Sequence, residues 1–229
     1  MNRLDAQRSV KPVSIADDTK HIIVQTALRM FAQRGIEGVS LSELRSASGQ
    51  NNRSAIHYHF GNKDGLLDAV TDRLSEMLGV PMKEGLESGK HLAASGELTI
   101  ESFMRVMSHP FVELYKQGQE GHDCLRMLSH LSHEMTDRQQ ARAFTPIQDY
   151  MGEMARLLQG LMPDKKPSEL APMMFMSSCS FVEILICSHM LTRDHTLAGD
   201  QVTAPSKDVI VEMALKFITG GFVAASQRA

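Results

Sequence analysis

The segment from residue 52 to residue 63 contains the side chains best suited to bind a hydrogen-bonding partner. At about 3.6 residues per turn, its polar side chains fall on one helical face and its apolar ones on the other. The polar face holds Asn52 or Arg53, Ser54, His57 and Tyr58, and the apolar face holds Ala55, Ile56 and Phe60. An arginine fork matches the two acceptors of guanine in the major groove, and an asparagine amide pairs with adenine. Arg53 and Asn52 therefore make this face a candidate for reading DNA bases. The alternative is a polar face that only contacts water.

That segment is predicted to contain the second of two short helices, which are joined by a turn of small residues. Ser40 and Glu43 have the spacing of a capping box, which predicts the start of a second helix, and Gly49 lies in the turn that follows. The third helix is predicted from about 52 to 59. A first helix begins near residue 17 and packs behind this pair. The sequence therefore predicts a helix-turn-helix, which is the geometry that places a recognition helix in the major groove.

The rest of the chain has helical periodicity as well. A fourth helix is predicted to begin near Lys63 and to end at Gly79 and Pro81. Residues 81–96 then indicate a frayed helix or a linker, and we expect the domain boundary there. Five further helices are predicted at about 97–117, 120–136, 138–161, 168–193 and 206–226.

These elements predict an all-α protein with two domains of unequal size. Tryptophan is absent and aromatic residues make up only 5% of the chain, so a sheet has little to build from. Residues 1–16 are expected to be a flexible arm, residues 17–80 a three-helix DNA-binding domain, and residues 81–229 a larger helical bundle.

Composition excludes several functional classes. The net charge of -3 argues against a generally basic nucleic-acid binder, although residues 1–80 hold 10 basic and 9 acidic residues, a local net charge of +1. Three cysteines cannot all pair within one chain, and no signal-peptide core precedes the first helix, so we expect a reducing cytoplasm. The sequence has no uninterrupted apolar run long enough to span a bilayer, and we expect no membrane partner. Without a phosphate-binding glycine loop or a nucleophile elbow, we expect neither an enzyme nor a cofactor.

From about Thr19 to Arg73 the sequence resembles the DNA-binding domain of the TetR family of bacterial transcriptional regulators. In chain order, the residues that carry the resemblance are Ala27, Phe31 and Gly35, then Val39-Ser40-Leu41, Gly49, and the run from Ala55 to Leu67. Within that run, the pair His59-Phe60 comes three residues before Lys63, and Asp64 and the paired leucines Leu66 and Leu67 follow.

The resemblance implies a set of DNA contacts. The recognition helix would use Asn52, Arg53, Ser54, His57, Tyr58 and His59. Lys63 would hold a phosphate together with the N-terminus of the fourth helix, and Phe60 would be the buried anchor. Residues 50–55 are one residue longer than the family's usual turn, and His57 stands where the pattern has Tyr. The register of the base-reading residues therefore stays open by about one position.

The resemblance also implies a repressor that binds an inverted-repeat operator as a homodimer and is released by a small-molecule effector. The dimer would form through the helices at about 168–193 and 206–226, and both carry broad apolar faces. Our candidates for an apolar effector pocket are Phe103, Met107, Phe111 and Met127, because methionine adapts to irregular apolar ligands. The alternative is that these side chains only fill the core.

A rival interpretation starts from three histidines. His130 and His133 are three residues apart on one predicted helix, with His122 upstream. This spacing would suit a metal-binding protein or a helical small-molecule enzyme, but no tight Cys/His ligand set completes it. Histidines on a partly exposed helix face are the alternative, and we therefore expect no metal.

Overall fold

The computed structural model describes residues 15–49, 54–134, 137–191, 195–197 and 200–227. Within these residues the chain forms nine α-helices, which are α1 (Ile15–Arg34), α2 (Leu41–Ala47), α3 (Ala55–Phe60), α4 (Lys63–Ser95), α5 (Ile100–Lys116), α6 (Gly118–Glu134), α7 (Asp137–Leu161), α8 (Pro167–Cys187) and α9 (Lys207–Ser226). A 3-10 turn, Ser188–Met190, follows α8. Two short strands, β1 (His195–Leu197) and β2 (Asp200–Val202), pair antiparallel before α9. The all-α prediction is confirmed, and this hairpin is a small addition that the sequence analysis did not predict.

The helix boundaries follow local signals closely at the N-terminal end. The predicted capping box is present, since the Ser40 hydroxyl accepts from the Glu43 amide and the Glu43 carboxylate accepts from the Ser40 amide. Gly35 and Gly61 adopt positive φ angles of 75° after α1 and α3, which side chains with a Cβ rarely tolerate. Asn62 then caps α4 by accepting from the amide of Gly65 at 2.9 Å.

The predicted end of α4 at Gly79 and Pro81 is wrong. The helix runs without a break from Lys63 to Ser95 and ends at Gly96, which has a φ of 74°. Pro81 is buried inside it. The predicted frayed helix or linker at 81–96 is therefore the second half of one 33-residue helix.

Close packing explains the glycines that suggested a linker. A Cβ on Gly85 would lie 3.0 Å from the Tyr150 hydroxyl, and one on Gly89 would lie 2.8 Å from a methyl carbon of Leu157. Both glycines are buried where α4 packs against α5 and α7. These glycines permit the helices to pack closely. From sequence alone, glycines at such positions predict the end of a helix.

A proline in α5 is compensated by a tyrosine from α7. Pro110 has no amide hydrogen, so the carbonyl of Val106, four residues earlier, has no partner within its own helix. The hydroxyl of Tyr150 donates to that carbonyl at 2.8 Å and lies 3.4 Å from the carbonyl of Met107. Tyr150 is buried, and burial raises the pKa of its hydroxyl above the ordinary value, which keeps it a donor. This hydrogen bond ties α7 to α5.

The N-terminal helices and the bundle share one continuous core. α1 packs against α4 and α6, and the buried apolar side chains form a single cluster from Ile23 to Phe222. An ion pair joins α4 to α6, with the Arg73 guanidinium 2.9 Å from the Glu120 carboxylate. α4 also passes through residue 80, so the division into residues 17–80 and 81–229 remains a proposal.

The last two long helices leave much of their apolar surface uncovered. α8 and α9 pack against each other, yet Phe217, Phe175 and Met213 are 75%, 66% and 61% exposed. By length and composition alone, Pro167–Met190 and Lys207–Ser226 are apolar enough to cross a membrane, with 33% of each apolar window buried. This is weak evidence for a membrane segment, because core helices of soluble proteins meet the same criteria.

Candidate nucleic-acid interface

Buried contacts on one side of α3 turn its other side to solvent. Ala55 and Ile56 are buried, and α3 packs against α2 and α4. Leu44 anchors α2 in the same core. Because α3 is only six residues long, these contacts fix its orientation more than its own helical hydrogen bonds do.

The opposite side of α3 is polar and open. Ser54 and His57 are exposed, and Tyr58 is 82% exposed, while His59 is half-buried with its ring centroid 5.0 Å from that of Tyr58. The predicted residues Asn52 and Arg53 lie outside the described residues. The polar surface formed by Ser54, His57 and Tyr58 is called the α3 face below.

His57 is held by a bond to the end of its own helix. Its Nδ1 contacts the carbonyl oxygen of Gly61. A carbonyl can only accept, so Nδ1 carries the hydrogen and donates it. In the neutral ring, Nε2 is then the acceptor that remains for another partner.

The corner between α3 and α4 depends on a close backbone approach. A Cβ on Gly65 would lie 2.1 Å from the carbonyl oxygen of Phe60, so only glycine fits there without a shift of the backbone. This approach places the first turn of α4 directly beside the end of α3. Phe60 itself is half-buried and packs against the core. The expectation that it would be the buried anchor is wrong in degree, and Ala55 and Ile56 are the buried residues of α3.

Lys63 begins α4 at that corner. Its ammonium nitrogen is 3.8 Å from the carboxylate of Glu37, and its side chain is 28% exposed, whereas that of Glu37 is 85% exposed. An ion pair of this length with an exposed partner contributes little to stability. Lys63 can therefore exchange Glu37 for another anion at low cost, next to the positive end of the α4 dipole.

The sequence patterns did not indicate the arginine that connects α1 to α2. Arg34, at the end of α1, donates to the Gly38 carbonyl at 2.6 Å and to the Glu43 carboxylate at 2.8 Å. The hydrogen bonds from Ser40, followed by the contact with Arg34, lower the pKa of Glu43 to about 2. Glu43 is thus both a helix cap and the acceptor that joins α1 to α2. The capping-box spacing indicated the first role, but no local pattern indicated the second.

The four predicted effector-pocket residues, Phe103, Met107, Phe111 and Met127, are all buried in the continuous core. Two clefts lie elsewhere. One of about 220 Å³ between α5 and α9 is lined by Arg105, and one of about 240 Å³ at the start of α6 is lined by His122. Neither cleft is lined by any of the four candidates.

The rival metal interpretation gains no support from the side chains that the structure describes. His122 donates from Nε2 to the carbonyl of Ile186 at 3.1 Å. His130 lies further along α6, and the side chain of His133 is outside the described part of the chain. Among the described residues, no group of three or more His, Cys, Asp or Glu is placed to hold a metal ion.

Comparison with known proteins identifies the N-terminal segment. Residues 23–70 match the family model for "Bacterial regulatory proteins, tetR family". This segment of the chain is therefore similar to the TetR family of bacterial regulatory proteins. The matched residues include α2, α3 and the start of α4, and thus the α3 face and Lys63.

Two curated relatives match just over a quarter of the chain. The chain is 34% identical over 64 residues to the HTH-type transcriptional regulator AcrR of Shigella flexneri, a match that covers 28% of this chain and 29% of AcrR. It is 36% identical over 61 residues to the HTH-type transcriptional regulator TtgR of Pseudomonas putida, covering 27% and 29%. The match thus spans less than a third of the length of these relatives.

Solved structures extend the likeness of fold to most of the chain. A Rhodococcus protein named as a TetR-family transcriptional regulator has a TM-score of 0.54 at 14% identity, covering 91% of this chain and 98% of that one. The TetR-family regulator PfmR of Thermus thermophilus has a TM-score of 0.52 at 15% identity, covering 86% and 97%. At these identities the likeness establishes the fold of the helical body and nothing about its ligand.

Proposed function

We propose that this chain is a bacterial, cytoplasmic DNA-binding transcriptional regulator that acts as a repressor. The observation that carries the proposal is the α3 face, a short polar helix surface within a TetR-family domain, held open by buried contacts on its other side. That arrangement suits insertion into a major groove. No catalytic activity is assigned to the chain, and the metal-protein alternative is not favoured.

Within this proposal, the DNA contacts divide into two kinds. Arg53 and Asn52 read bases, and Ser54, His57, Tyr58 and His59 add contacts. Lys63 holds a phosphate at the start of α4, and its weak pairing with Glu37 supports that role. Base contacts specify the sequence, whereas phosphate contacts set position and affinity.

We further propose that two copies of the chain pair through α8 and α9. The exposed apolar side chains of these helices support this, because monomeric proteins rarely expose a contiguous apolar patch of that kind. A dimer would present two α3 faces to successive major grooves, so the operator would be an inverted repeat. A small effector would bind the helical body and release the DNA, with Phe103, Met107, Phe111 and Met127 as the candidates for an apolar pocket.

The two kinds of DNA contact are separable by experiment. The affinity of each variant is measured by fluorescence anisotropy, on an operator selected from random duplexes and on a random duplex, at several salt concentrations. Lys63→Ala should weaken both complexes alike and reduce the salt slope by about 1, because one phosphate contact is lost. Arg53→Ala should lower the operator affinity about tenfold or more and affect the random duplex less. Lys83→Ala, on the exposed side of α4, is the control and should change neither.

Two outcomes would contradict the roles proposed for Lys63 and Arg53. A Lys63→Ala protein that prefers a new operator at an unchanged salt slope would contradict the phosphate role of Lys63. Equal loss on both duplexes for Arg53→Ala would make Arg53 a phosphate contact and move base reading to Ser54 and His57.

Sedimentation equilibrium at micromolar concentration tests the dimer. Phe217→Glu should dissociate it, because a carboxylate would be buried without a partner in the interface. Val80→Glu changes a similarly exposed apolar residue on α4 and should leave the dimer intact. A wild-type chain that is monomeric both free and on DNA would contradict this part of the proposal.

A further inference from the structure

A cleft of about 240 Å³ opens where α5 ends, α6 begins, α8 ends and α9 begins. Its polar lining consists of Tyr115, Gln119, His122, Ser188, His189 and Lys207. It is distinct from the buried core around Phe103 and Met107, and it lies outside the TetR-family segment. Its volume falls below the roughly 300–1,000 Å³ typical of drug-sized pockets, so only a small molecule fits.

The walls of this cleft are held by hydrogen bonds. The Tyr115 hydroxyl donates to the Ser188 hydroxyl at 2.9 Å, which donates to the Leu185 carbonyl at 2.7 Å, and both side chains are buried. His122 Nε2 and His189 Nδ1 each lie 3.1 Å from the carbonyl of Ile186. These two histidines satisfy a carbonyl that the end of α8 leaves without a helical partner.

The bond to Ile186 fixes the chemistry of His122. Because the carbonyl can only accept, Nε2 of His122 carries the hydrogen, and Nδ1 is an acceptor in the neutral ring. Burial lowers the pKa of His122, which favours that neutral ring. His122 therefore offers the cleft an acceptor, which suits a hydroxyl group on a ligand.

The charge of the cleft comes from Lys207 and from two helix ends. The ammonium of Lys207 lies 4.9 Å from the centre of the Tyr115 ring. α6 begins at Gly118 and α9 begins at Lys207, so both helices place the positive ends of their dipoles at the cleft wall. One nearby acid of α6, Asp123, is buried and accepts from Gln119 at 2.9 Å, and burial raises its pKa. The described lining thus holds one lysine and no carboxylate, which favours an anion.

We propose that this cleft binds a small hydroxylated organic acid, with its carboxylate on Lys207 and its hydroxyl donating to Nδ1 of His122. The rings of Tyr115, His122 and His189 line the wall of the cleft, and the two histidine ring centroids are 6.5 Å apart with their planes at 89°. Flat rings at the wall suit a planar ligand. As an effector site this cleft rests on the proposed function, and it is an alternative to the apolar pocket at Phe103 and Met107. Binding to the cleft does not depend on DNA.

Isothermal titration calorimetry of the full chain, with the three hydroxybenzoate isomers as probes, tests the site. At least one isomer should bind saturably with a stoichiometry of one per chain. Benzoate lacks the hydroxyl and the matching hydroxybenzyl alcohol lacks the charge, so each should bind about tenfold more weakly or worse. Equal binding of benzoate and the hydroxybenzoates, or no binding of any isomer, would overturn the proposal. Tighter binding of inorganic phosphate than of any isomer would overturn the carboxylate assignment.

Two variants assign the contacts. Lys207→Gln should reduce hydroxybenzoate binding to the level of the neutral alcohol, whereas Lys216→Gln, an exposed lysine of α9 outside this cleft, should not. His122→Phe should remove the preference for hydroxybenzoate over benzoate. Since His122 also caps α8, circular dichroism checks that the variant is folded. A folded His122→Phe protein that keeps the full preference would contradict the hydroxyl assignment.

A separate DNA measurement distinguishes the site from the function. Hydroxybenzoate that binds the cleft without weakening the operator complex would uphold the site and contradict its role as the effector site. Absence of operator binding by the ligand-free protein would contradict the proposed function and leave the calorimetric result standing.

Discussion

Tyr150→Phe tests how the chain accommodates a proline within α5. The substitution keeps the ring and removes the hydroxyl that donates to the Val106 carbonyl at 2.8 Å. That carbonyl loses its helical partner to Pro110, so the variant leaves it buried without a donor. An unsatisfied buried acceptor costs about 1–3 kcal/mol, and the small void left by one oxygen adds little. We therefore expect the free energy of unfolding to fall by about 1–3 kcal/mol.

A double-mutant cycle isolates this mechanism from general loss of packing. Pro110→Ala restores an amide that can donate to Val106 along the helix, so Tyr150→Phe should cost markedly less in that background, about 1 kcal/mol or below. Urea denaturation monitored by circular dichroism gives each free energy of unfolding, at a protein concentration held constant because the chain is proposed to dimerise. An equal cost of Tyr150→Phe in both backgrounds would show that the hydroxyl does not replace the amide that proline lacks.

Two further predictions concern the N-terminal helices α1 to α4. Gly65→Ala should lower the free energy of unfolding by about 1–3 kcal/mol, because the new Cβ would lie 2.1 Å from the neighbouring backbone. The control Gly79→Ala, whose Cβ would have nothing within 4 Å, should raise that free energy by up to about 1 kcal/mol. Urea denaturation measures both, and a gain in stability for Gly65→Ala would contradict the close approach. Ser40→Ala should raise the pKa of Glu43 from about 2 toward 4.5. NMR of the Glu43 carboxyl group measures this pKa, and an unchanged value would contradict the capping box. Since the folded pKa is the lower one, the stabilisation from Glu43 is present above pH 4.5 and is lost as the pH falls through about 2.

Local signals predicted the helix-turn-helix because its boundaries depend on neighbouring residues. The Ser40 and Glu43 cap, the stop at Gly35 and the break at Gly61 each act within one helical turn, and all three are present in the structure. Apolar periodicity also placed Ala55 and Ile56 on the buried side of α3. The predicted helix starts and ends in the body agree with the structure to within a few residues, apart from α8, which gives way to a 3-10 turn after Cys187.

The errors arose where tertiary contacts decide the outcome. Gly85 and Gly89 favour a linker in isolation, yet they line a tight contact of α4 with α5 and α7, which stabilises the helix through Pro81. The link from Arg34 to Glu43 joins residues nine apart in different helices, and no periodicity indicates it. Spacing alone likewise gave no sign of the cleft at His122 and Lys207, because its lining comes from four separate elements.

Recognition of a specific DNA sequence through α3 is tested most directly by selecting operators from random duplexes. The full-length protein is used to enrich bound duplexes over several rounds, and the affinity for the enriched duplex is compared with that for a shuffled duplex at one salt concentration. We expect an inverted repeat that binds at least about 10³-fold more tightly than the shuffled duplex. Failure to enrich any sequence, or equal affinity for both duplexes, would contradict it.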